Sequence, residues 1–593
     1  MTRRRRFVIA LLPALSVLAA SPEEKLAPEL RSPGAGSIDV IVQFAAVPAA
    51  RDHAIVAAHG GILNRELPLV RGAVYRIPAE KVRELAEQDD VLAVAPDRQV
   101  LGLGNQSYSG APPDYGWMTV GADAATNIYH TTGQGIGVAV IDSGIDNFTD
   151  LQGTSGSRIV YAESFIPGDS TTADAYGHGD HVAGIVGGNG ASSTGSQYTY
   201  TVRGIAPGIN FINLRVLDAN GQSQDSTVIA AIGRAIQLKS TYNIRVINLS
   251  LGRPVTDYCA NDALCQAVQQ AWQAGIVVVV AAGNGGRDNS AGTNGYGTIT
   301  VPGNNPYVIT VGAMNTLGTC GTSDDRIASY SSKGPTLLDH YVKPDLVAPG
   351  NEVFSVRTPG STLDTDYPAN QVPVSIYAKG NKTGQTPVYF ELSGTSMAAP
   401  MVSGAAALML QLNPSLTPDE VKARLMKTAS KFPRETWTIA DPTTGQVYID
   451  ESDIFTVGAG YLSIPTALLN NDVLSSLALS PTVQTDGAGH VTLSFANSVV
   501  WGTSVVWGTS VVWGTSVVWG TSVVWGTSVV WGTSAASGTS VVWGTGAVWG
   551  TAATSPTGYG ASAIWGSSVV WGTKKPGDTA APDAASTLVA GDQ

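Results

Sequence analysis

Four polar residues adjoin apolar or small-residue runs of the sequence. They are Asp142 in Val-Ile-Asp-Ser-Gly, His178 in Gly-His-Gly-Asp-His, Asn284 in Ala-Ala-Gly-Asn-Gly and Ser396 in Gly-Thr-Ser-Met-Ala-Ala-Pro. Taken singly, each has an ordinary structural role, such as a strand end, a turn or a helix N-cap. Together they supply the groups that nucleophilic acyl transfer requires.

That chemistry makes a specific demand on each kind of group. A serine hydroxyl is a weak nucleophile at neutral pH and needs an adjacent imidazole to take its proton. The imidazole needs a carboxylate to fix its tautomer and to stabilise its charged form. The tetrahedral intermediate needs hydrogen-bond donors directed at its oxyanion, and a serine that opens a helix brings backbone amides close to it.

The surrounding pattern predicts the elements that must position these groups. Continuous apolar runs alternate with helix-like segments, which favours an α/β fold with a mainly parallel central sheet and helices on both faces. Ligands of such sheets bind outside the carboxyl ends of the strands. The predicted strands are Ile136–Ile141, Phe211–Val216, Val246–Leu249, Ile276–Ala282 and Val308–Val311, and the predicted helices are His181–Gly187, Asp225–Gln237 and Asp262–Gln273.

These motifs resemble those of the subtilisin-like serine proteases, the subtilases, over about residues 130–470. The resemblance is carried by VIDSG, GHGDHVAG, INLSLG, AAGN, KPDLVAPG and GTSMAAP, and the chain order Asp, His, Ser agrees with that family. An α/β-hydrolase is disfavoured because position 398 is Ala and His490 is the only histidine after Ser396. A zinc site at His178 and His181 is disfavoured because no third ligand is evident.

The resemblance implies a role for each of the four residues. Ser396 is expected to be the nucleophile, His178 the general base and then the general acid, and Asp142 the residue that orients His178. The side-chain amide of Asn284 and the backbone amide of Ser396 are expected to form the oxyanion hole. Position 180 is Asp instead of the family's usual small hydroxyl residue. Its carboxylate either faces the cleft and raises the pKa of His178, or points to solvent.

The resemblance also implies how substrate binds. Ser250, Leu251 and Gly252 resemble the edge strand that pairs with the backbone of protein or peptide substrates, and Gly283 is expected to border the pocket for the residue before the cleaved bond. No cofactor is required for the chemistry. The family often binds structural calcium, and Asp150 matches one ligand position, but the sequence places no calcium or other metal site.

The N-terminal region predicts secretion and self-processing. A basic start and an apolar run to Ala20, shorter than the roughly 20 residues that span a bilayer, indicate a signal peptide over 1–20 instead of a membrane anchor. A spacer over 21–37 precedes a strand-helix-strand-helix-strand unit over 38–100, expected to be ferredoxin-like. This unit resembles the family's inhibitory propeptide, which would be a partner of the enzyme until self-cleavage in a linker over 101–116.

The C-terminal region is expected to comprise a peptidase domain over 117–470, a connector over 471–497, hexad repeats over 498–573 and a polar tail over 574–593. The hexad Ser-Val-Val-Trp-Gly-Thr has an even period, so its tryptophans share one side of an extended chain. The sequence leaves open whether this segment is a stack of short strands or a tail without a fixed fold. Exposed tryptophans would suit contact with a polysaccharide or a cell surface.

Composition narrows the class of protein. The 593 residues carry a net charge of -12, which gives no overall electrostatic footprint for nucleic acid. Cys259 and Cys265 are close enough in sequence to bridge a loop, and Cys320 is expected to be a buried or free thiol. The alternative is that all three cysteines are unpaired. The interpretation is therefore a secreted, monomeric serine endopeptidase made as a zymogen and retained, through its repeats, at the cell surface. The alternative is an inactive, protease-like surface adhesin.

Overall fold

The computed structural model divides the chain into two compact units, Met1–Asp97 and Arg98–Gln593. It describes residues 21–32, 34–102, 114–380, 384–431, 435–440, 446–474, 477–485 and 491–494, together with two-residue strands between 505 and 571. The predicted signal peptide therefore lies outside the described residues, as does most of the predicted linker.

The first unit has the strand-helix-strand-strand-helix-strand order of a ferredoxin-like fold. Its antiparallel sheet has the order β2-β3-β1-β4. The prediction missed β2, because most of its side chains are exposed and it lacks an apolar face. The elements are α1 (Pro22–Lys25), β1 (Ser37–Phe44), α2 (Ala50–Ala58), β2 (Ile62–Leu67), β3 (Gly72–Pro78), α3 (Val82–Ala86) and β4 (Val91–Pro96).

The segment 21–37 differs from the expected spacer. Leu26 and Leu30 are buried in the same hydrophobic cluster as the strands of this unit, and Ala27 donates a backbone hydrogen bond to Val94. The segment is therefore part of the first unit, because its apolar residues complete that unit's core.

The second unit contains the remaining elements. Its helices are α4 (Gly116–Thr119), α5 (Ala122–Asn127), α6 (His178–Gly187), α7 (Asp225–Tyr242), α8 (Ala263–Gln273), α9 (Thr362–Asp366), α10 (Val374–Tyr377), α11 (Thr395–Leu412), α12 (Pro418–Thr428) and α13 (Ile464–Leu469). Its strands up to residue 281 are β5 (Gln99–Gly102), β6 (Gly137–Asp142), β7 (Gln152–Gly153), β8 (Gly156–Ser157), β9 (Ile159–Ser164), β10 (Asn210–Arg215), β11 (Gln222–Gln224), β12 (Ile244–Leu249), β13 (Leu251–Gly252) and β14 (Val277–Ala281). The later strands are β15 (Ile309–Asn315), β16 (Arg326–Ile327), β17 (Leu346–Pro349), β18 (Val353–Val356), β19 (Tyr389–Leu392), β20 (Thr436–Ala440), β21 (Val447–Glu451), β22 (Thr482–Thr485) and β23 (Val491–Ser494).

A mainly parallel sheet forms the centre of this unit, as predicted. Its order is β16-β15-β14-β12-β6-β10-β9, with β17 paired to β15, and only the β15–β16 pair is antiparallel. Helix α11 packs against β12, β14 and β15 and against α6, whereas α7 and α8 form another packed pair. Helix α11 is long and apolar enough to span a membrane, but 89% of it is buried inside this unit.

A separate three-stranded antiparallel sheet involves part of the predicted linker. Strand β5 lies between β11 and β13, so Leu101 and Gly102 belong to a paired strand, and residues 103–113 lie outside the described part. The nearby Cys259 and Cys265 form a disulfide, which settles the alternative that the sequence left open. Cys320 is a free, exposed cysteine.

The C-terminal segments differ from the rest of the second unit. In the predicted connector, Ala478 and Ser480 are buried, and Ser480 donates to Asp345 at 2.7 Å, so this part packs against the peptidase region. In the hexads the structure describes Val-Trp strands such as Val530–Trp531 and Val548–Trp549, which pair in parallel. The residues between such strands and the polar tail lie outside the described part, so both alternatives for the repeat stay predictions.

Candidate active site

Asp142 and His178 form a buried pair at the carboxyl edge of the sheet. Asp142 ends β6, and its Oδ1 lies 2.7 Å from His178 Nδ1, with the two side chains 1% and 0% exposed. The same oxygen accepts the backbone N–H of Ser143 at 2.8 Å. Among the described residues, His178 Nε2 has no hydrogen-bond partner. Asp142 therefore binds Nδ1 of the imidazole, and Nε2 is left available to a reacting group.

The helix that carries His178 begins in a close turn. Gly177 is its N-cap and has a φ of 97°, a conformation that L side chains rarely adopt. A Cβ at this position would lie 2.4 Å from Ser361 Oγ. Asp174 closes the turn, because its carboxylate accepts the backbone N–H groups of Tyr176, Gly177 and Asp180. Asp174 was not among the predicted site residues, although an acidic side chain four positions before the histidine was its signal.

Ser396 is held against the predicted substrate strand. It is the second residue of α11, and its Oγ donates to the backbone carbonyl of Ser250 at 3.0 Å. In return Ser250 Oγ donates to the carbonyl of Ser396 at 2.9 Å. Asn248 extends the network, since it donates to Ser250 Oγ and accepts from Ser403 Oγ. These contacts fix the start of α11 relative to the end of β12.

Thr395 holds Asn284 and Gly283 beside Ser396. Asn284 Oδ1 accepts both the backbone N–H and the hydroxyl of Thr395, each at 3.0 Å. The same hydroxyl accepts the N–H of Gly283 at 3.1 Å. Because the amide oxygen is held by two donors, the direction of the amide nitrogen is fixed as well. Sequence analysis had not identified Thr395 as the residue that orients Asn284.

Strand β5 marks the path of an extended chain next to these residues. Leu101 pairs with Gly252 and Gly102 pairs with Leu251, both antiparallel, and on its other side β5 pairs with β11. The predicted residues Leu251 and Gly252 thus pair with a backbone. A Cβ on Gly102 would lie 2.9 Å from Leu217 Cδ1, so the space beside this position is narrow.

The surroundings of Asp180 match neither sequence-based alternative. The residue is fully buried, and its carboxylate accepts the N–H of Asp146 and the hydroxyl of Thr358, both at 2.7 Å. Burial, with the charges of Asp174 and Asp146, raises the pKa of Asp180 well above its usual value. Burial lowers the pKa of His178, but Asp142, through charge and hydrogen bond, and then Asp174 outweigh it, so the net pKa is raised.

His181 and Asp150 are both hydrogen-bonded to groups of the protein. His181 Nε2 lies 3.1 Å from the carbonyl oxygens of both Val353 and Phe390, so this nitrogen donates its proton to the backbone. The two carboxylate oxygens of Asp150 accept from the N–H of Ser192 and the hydroxyl of Tyr389. Within the described ranges, no three His, Cys, Asp or Glu side chains could hold a metal ion together. Calcium therefore remains unplaced.

Comparison with a known fold agrees with the architecture. Fervidolysin from Fervidobacterium pennivorans, a keratinolytic enzyme related to subtilisin, matches with a TM-score of 0.54 and 22% sequence identity. The match covers 76% of this chain and 63% of that structure. At this identity the likeness shows the fold alone.

Similarity in amino-acid sequence shows the family as well as the fold. Serine protease AprX of Bacillus subtilis is 40% identical over 309 residues, which are 51% of this chain and 63% of that protein. Subtilisin E of the same species is 31% identical over 434 residues, which are 72% of this chain and 94% of that protein. The model of the subtilase family matches residues 133–458, the range that contains all eight predicted site residues. The chain therefore belongs to the subtilase family.

Proposed function

We propose that this chain is a secreted serine endopeptidase that hydrolyses peptide bonds through an acyl-enzyme intermediate and is made as a self-processed zymogen. The observation that carries the proposal is the buried Asp142–His178 pair, with a 2.7 Å bond at Nδ1 and an Nε2 that has no partner in the described part of the chain. Membership of the subtilase family supports acyl transfer from a serine, and in this pair His178 is the general base that the reaction needs.

In the proposed reaction Ser396 Oγ exchanges its hydrogen bond with Ser250 for one with His178 Nε2. As Oγ attacks the scissile carbonyl carbon, Nε2 takes its proton, and Asp142 stabilises the resulting imidazolium. The imidazolium then protonates the leaving amine, and the acyl-enzyme remains. Water attacks the acyl-enzyme by the same route in reverse, with His178 again as base, and restores the free Ser396 hydroxyl.

Asn284 and the backbone amide of Ser396 would stabilise the oxyanion of both tetrahedral intermediates. Donors that are already oriented need little reorganisation as charge develops, and the two bonds from Thr395 to Asn284 give that orientation. Loss of one such donor costs about 10²–10³ in turnover, a figure that comes from a subtilisin itself.

We also propose that the first unit and β5 together are an inhibitory propeptide. The pairing of β5 with Leu251–Gly252 supports this, because a substrate backbone would use the same edge. The antiparallel course of β5 then leads towards Ser250, and so to Ser396, after Gly102. Self-cleavage is accordingly expected among residues 103–113, in the predicted linker, and the N-terminal sequence of the mature enzyme would show it.

Expression of the parent and the Ser396→Ala variant tests the function. The parent should shorten to the mature form, hydrolyse casein and react with a fluorophosphonate, whereas the variant should remain full-length, inactive and unlabelled. Ser415→Ala, at an exposed serine that follows α11, is the matched control and should keep fluorophosphonate labelling. If the parent is neither cut nor labelled, the proposal fails and the inactive adhesin becomes the better interpretation.

The proposed surface role of the hexads has a separate test. Deletion of residues 498–573 should release the protein from cells or from polysaccharide, because the regularly spaced tryptophans are removed, and should leave casein hydrolysis unchanged. Equal retention of the parent and the deletion variant would contradict a role of the repeats in anchoring.

A further inference from the structure

The course of β5 defines where side chains of an extended substrate would lie upstream of the cleaved bond. Leu101 is paired with Gly252 on one side and Gln222 on the other, and Val100 is paired with Ser223. Three residues before Leu101, the carbonyl of Arg98 accepts the backbone N–H of Asp225 at 2.8 Å. The backbone is therefore fixed as far upstream as Arg98.

The side chain of Arg98 reaches a buried carboxylate. Its Nη1 lies 3.7 Å from Asp262 Oδ2, and the two side chains are 9% and 0% exposed. Burial raises the pKa values of Asp225 and Asp257, and the positive charge of Arg98 acts to lower both. An arginine in the substrate-like strand thus contributes its charge to a group of carboxylates that belong to the peptidase region.

Within the described residues, the other cation that forms ion pairs with Asp225 and Asp262 is Arg253. Arg253 binds Asp225 through two bonds of 2.8 Å and also binds Asp262 at 2.6 Å. One guanidinium therefore serves two buried carboxylates. Burial and the neighbouring Asp262 raise the pKa of Asp225 to about 7, although Arg253 opposes the rise. An uncompensated buried charge is costly, so removal of β5 after cleavage would leave a site that favours another cation.

The site is held in place by covalent and backbone contacts. Asp262 caps helix α8, because its Oδ1 accepts the N–H groups of Leu264 and Cys265. The disulfide between Cys259 and Cys265 encloses Asp262 in its loop. The carboxylate is thus held independently of Arg98, and the site does not need to reorganise when the occupant changes.

We propose that Asp262, supported by Asp225 and Arg253, forms a subsite for a cationic side chain of the substrate, three residues before the residue paired with Gly252. The occupant is an arginine or lysine of an extended peptide, and an acidic residue is rejected there. The inference rests on the proposed endopeptidase function and adds a specificity determinant to it.

The test uses the mature enzyme and quenched fluorogenic peptides with the sequence of residues 97–108 of this chain. The residue at position 98 is Arg, Lys, Ala or Glu, and a control peptide has Ala at 98 and Arg at 99. That control keeps the net charge but turns the guanidinium to the other face of the strand. We expect kcat/KM to fall in the order Arg, Lys, Ala, Glu, with Arg roughly five- to tenfold above Ala, and the shifted arginine to behave like Ala.

The Asp262→Asn variant connects this preference to the site. Asparagine keeps the capping oxygen but removes the charge, so the ratio of kcat/KM for Arg over Ala should fall to about one. Asp472→Asn, an equal change of charge at an exposed residue that pairs with Lys427, should leave the ratio as in the parent. Mass spectrometry should find the same cleaved bond in every peptide.

The outcomes separate this proposal from the proposed function. If the parent enzyme cleaves the Arg and Ala peptides within a factor of two of each other, the subsite is wrong and the endopeptidase remains. If Asp262→Asn matures and keeps the full preference, the subsite is also wrong. If Asp262→Asn does not mature, the kcat/KM values of the parent enzyme for the set of peptides decide by themselves whether the subsite exists. Absence of both peptide cleavage and fluorophosphonate labelling would instead refute the function on which the subsite rests.

Discussion

His178 and His181 lie one turn apart on α6, and both are completely buried, yet their surroundings differ in kind. His178 faces the carboxylate of Asp142, and its pKa is raised. His181 faces two backbone carbonyls, and burial, aided by the charge of His178, lowers its pKa to about 3. Burial is thus common to both, and the partner decides whether an imidazole can hold a proton.

The comparison separates two uses of the same side chain. Carbonyl oxygens accept a hydrogen bond but carry no net charge, so they fix the tautomer of His181 and raise its pKa too little to offset burial. A carboxylate fixes the tautomer and also stabilises an imidazolium. His181 therefore ties α6 to β18 and β19 as a neutral group, whereas His178 is equipped to gain and lose a proton.

Asp142→Asn should make His178 resemble His181. The amide keeps the shape of the side chain but removes the charge that stabilises the imidazolium, so kcat should fall by about 10⁴, a magnitude known from trypsin and of the order found in a subtilisin. Turnover of a peptide substrate at saturating concentration, with the urea midpoint as a control for folding, measures the effect. A loss of less than tenfold would show that the carboxylate is not what distinguishes the two histidines.

The sequence predicted this site because its residues end or begin strongly apolar elements. The runs that lead to Asp142 and Asn284 give buried parallel strands, and His178 and Ser396 open apolar helices. Such local patterns predict the sheet and the edge at which polar groups meet. The same patterns predicted the strands of the central sheet, and the ends of the predicted strands differ by a few residues from those observed.

The structural features that the sequence did not predict depend on contacts between residues far apart in the chain. Strand β5 pairs with a segment about 150 positions later, and nothing within Gln99–Gly102 specifies this partner. Asp180 looked like a surface or cleft residue, but α6 is buried on every side, so its carboxylate had to find donors inside. Leu26 and Leu30 looked like parts of a spacer because the core they complete belongs to strands that follow them.

His181→Gln should reduce the sensitivity of the fold to acid. Because the folded pKa of His181 is about 3 and the unfolded value is about 6.5, its contribution to stability is full above pH 6.5 and declines as the pH falls towards 3. At pH 5 the parent should have lost about 2 kcal/mol through this group, and the variant should not show that loss. Glutamine can keep a donor for the two carbonyls.

Urea unfolding at pH 7.5 and pH 5, in a Ser396→Ala background that prevents autolysis, gives the free energies of unfolding. His130→Gln, at an exposed position, is the matched control and should change with pH as the parent does. If His181→Gln loses as much stability between the two pH values as its parent, His181 is not the acid-sensitive group.

Asp174 and Asp180 are carboxylates beside His178, but their effects on its pKa differ. Asp174 raises the pKa of His178. Burial and the charges of Asp174 and Asp146 raise the pKa of Asp180 well above its usual value, and the carboxylates that raise the pKa of His178 are those of Asp142 and Asp174. Asp174→Asn should lower the pKa of His178, so the acidic limb of the kcat/KM profile moves to lower pH by less than about one unit.

Asp180→Asn, which keeps an oxygen for the N–H of Asp146, should leave the acidic limb in place. A shift of the limb in Asp180→Asn that equals the shift in Asp174→Asn would contradict this expectation, because it would show that Asp180 also carries a charge that raises the pKa of His178.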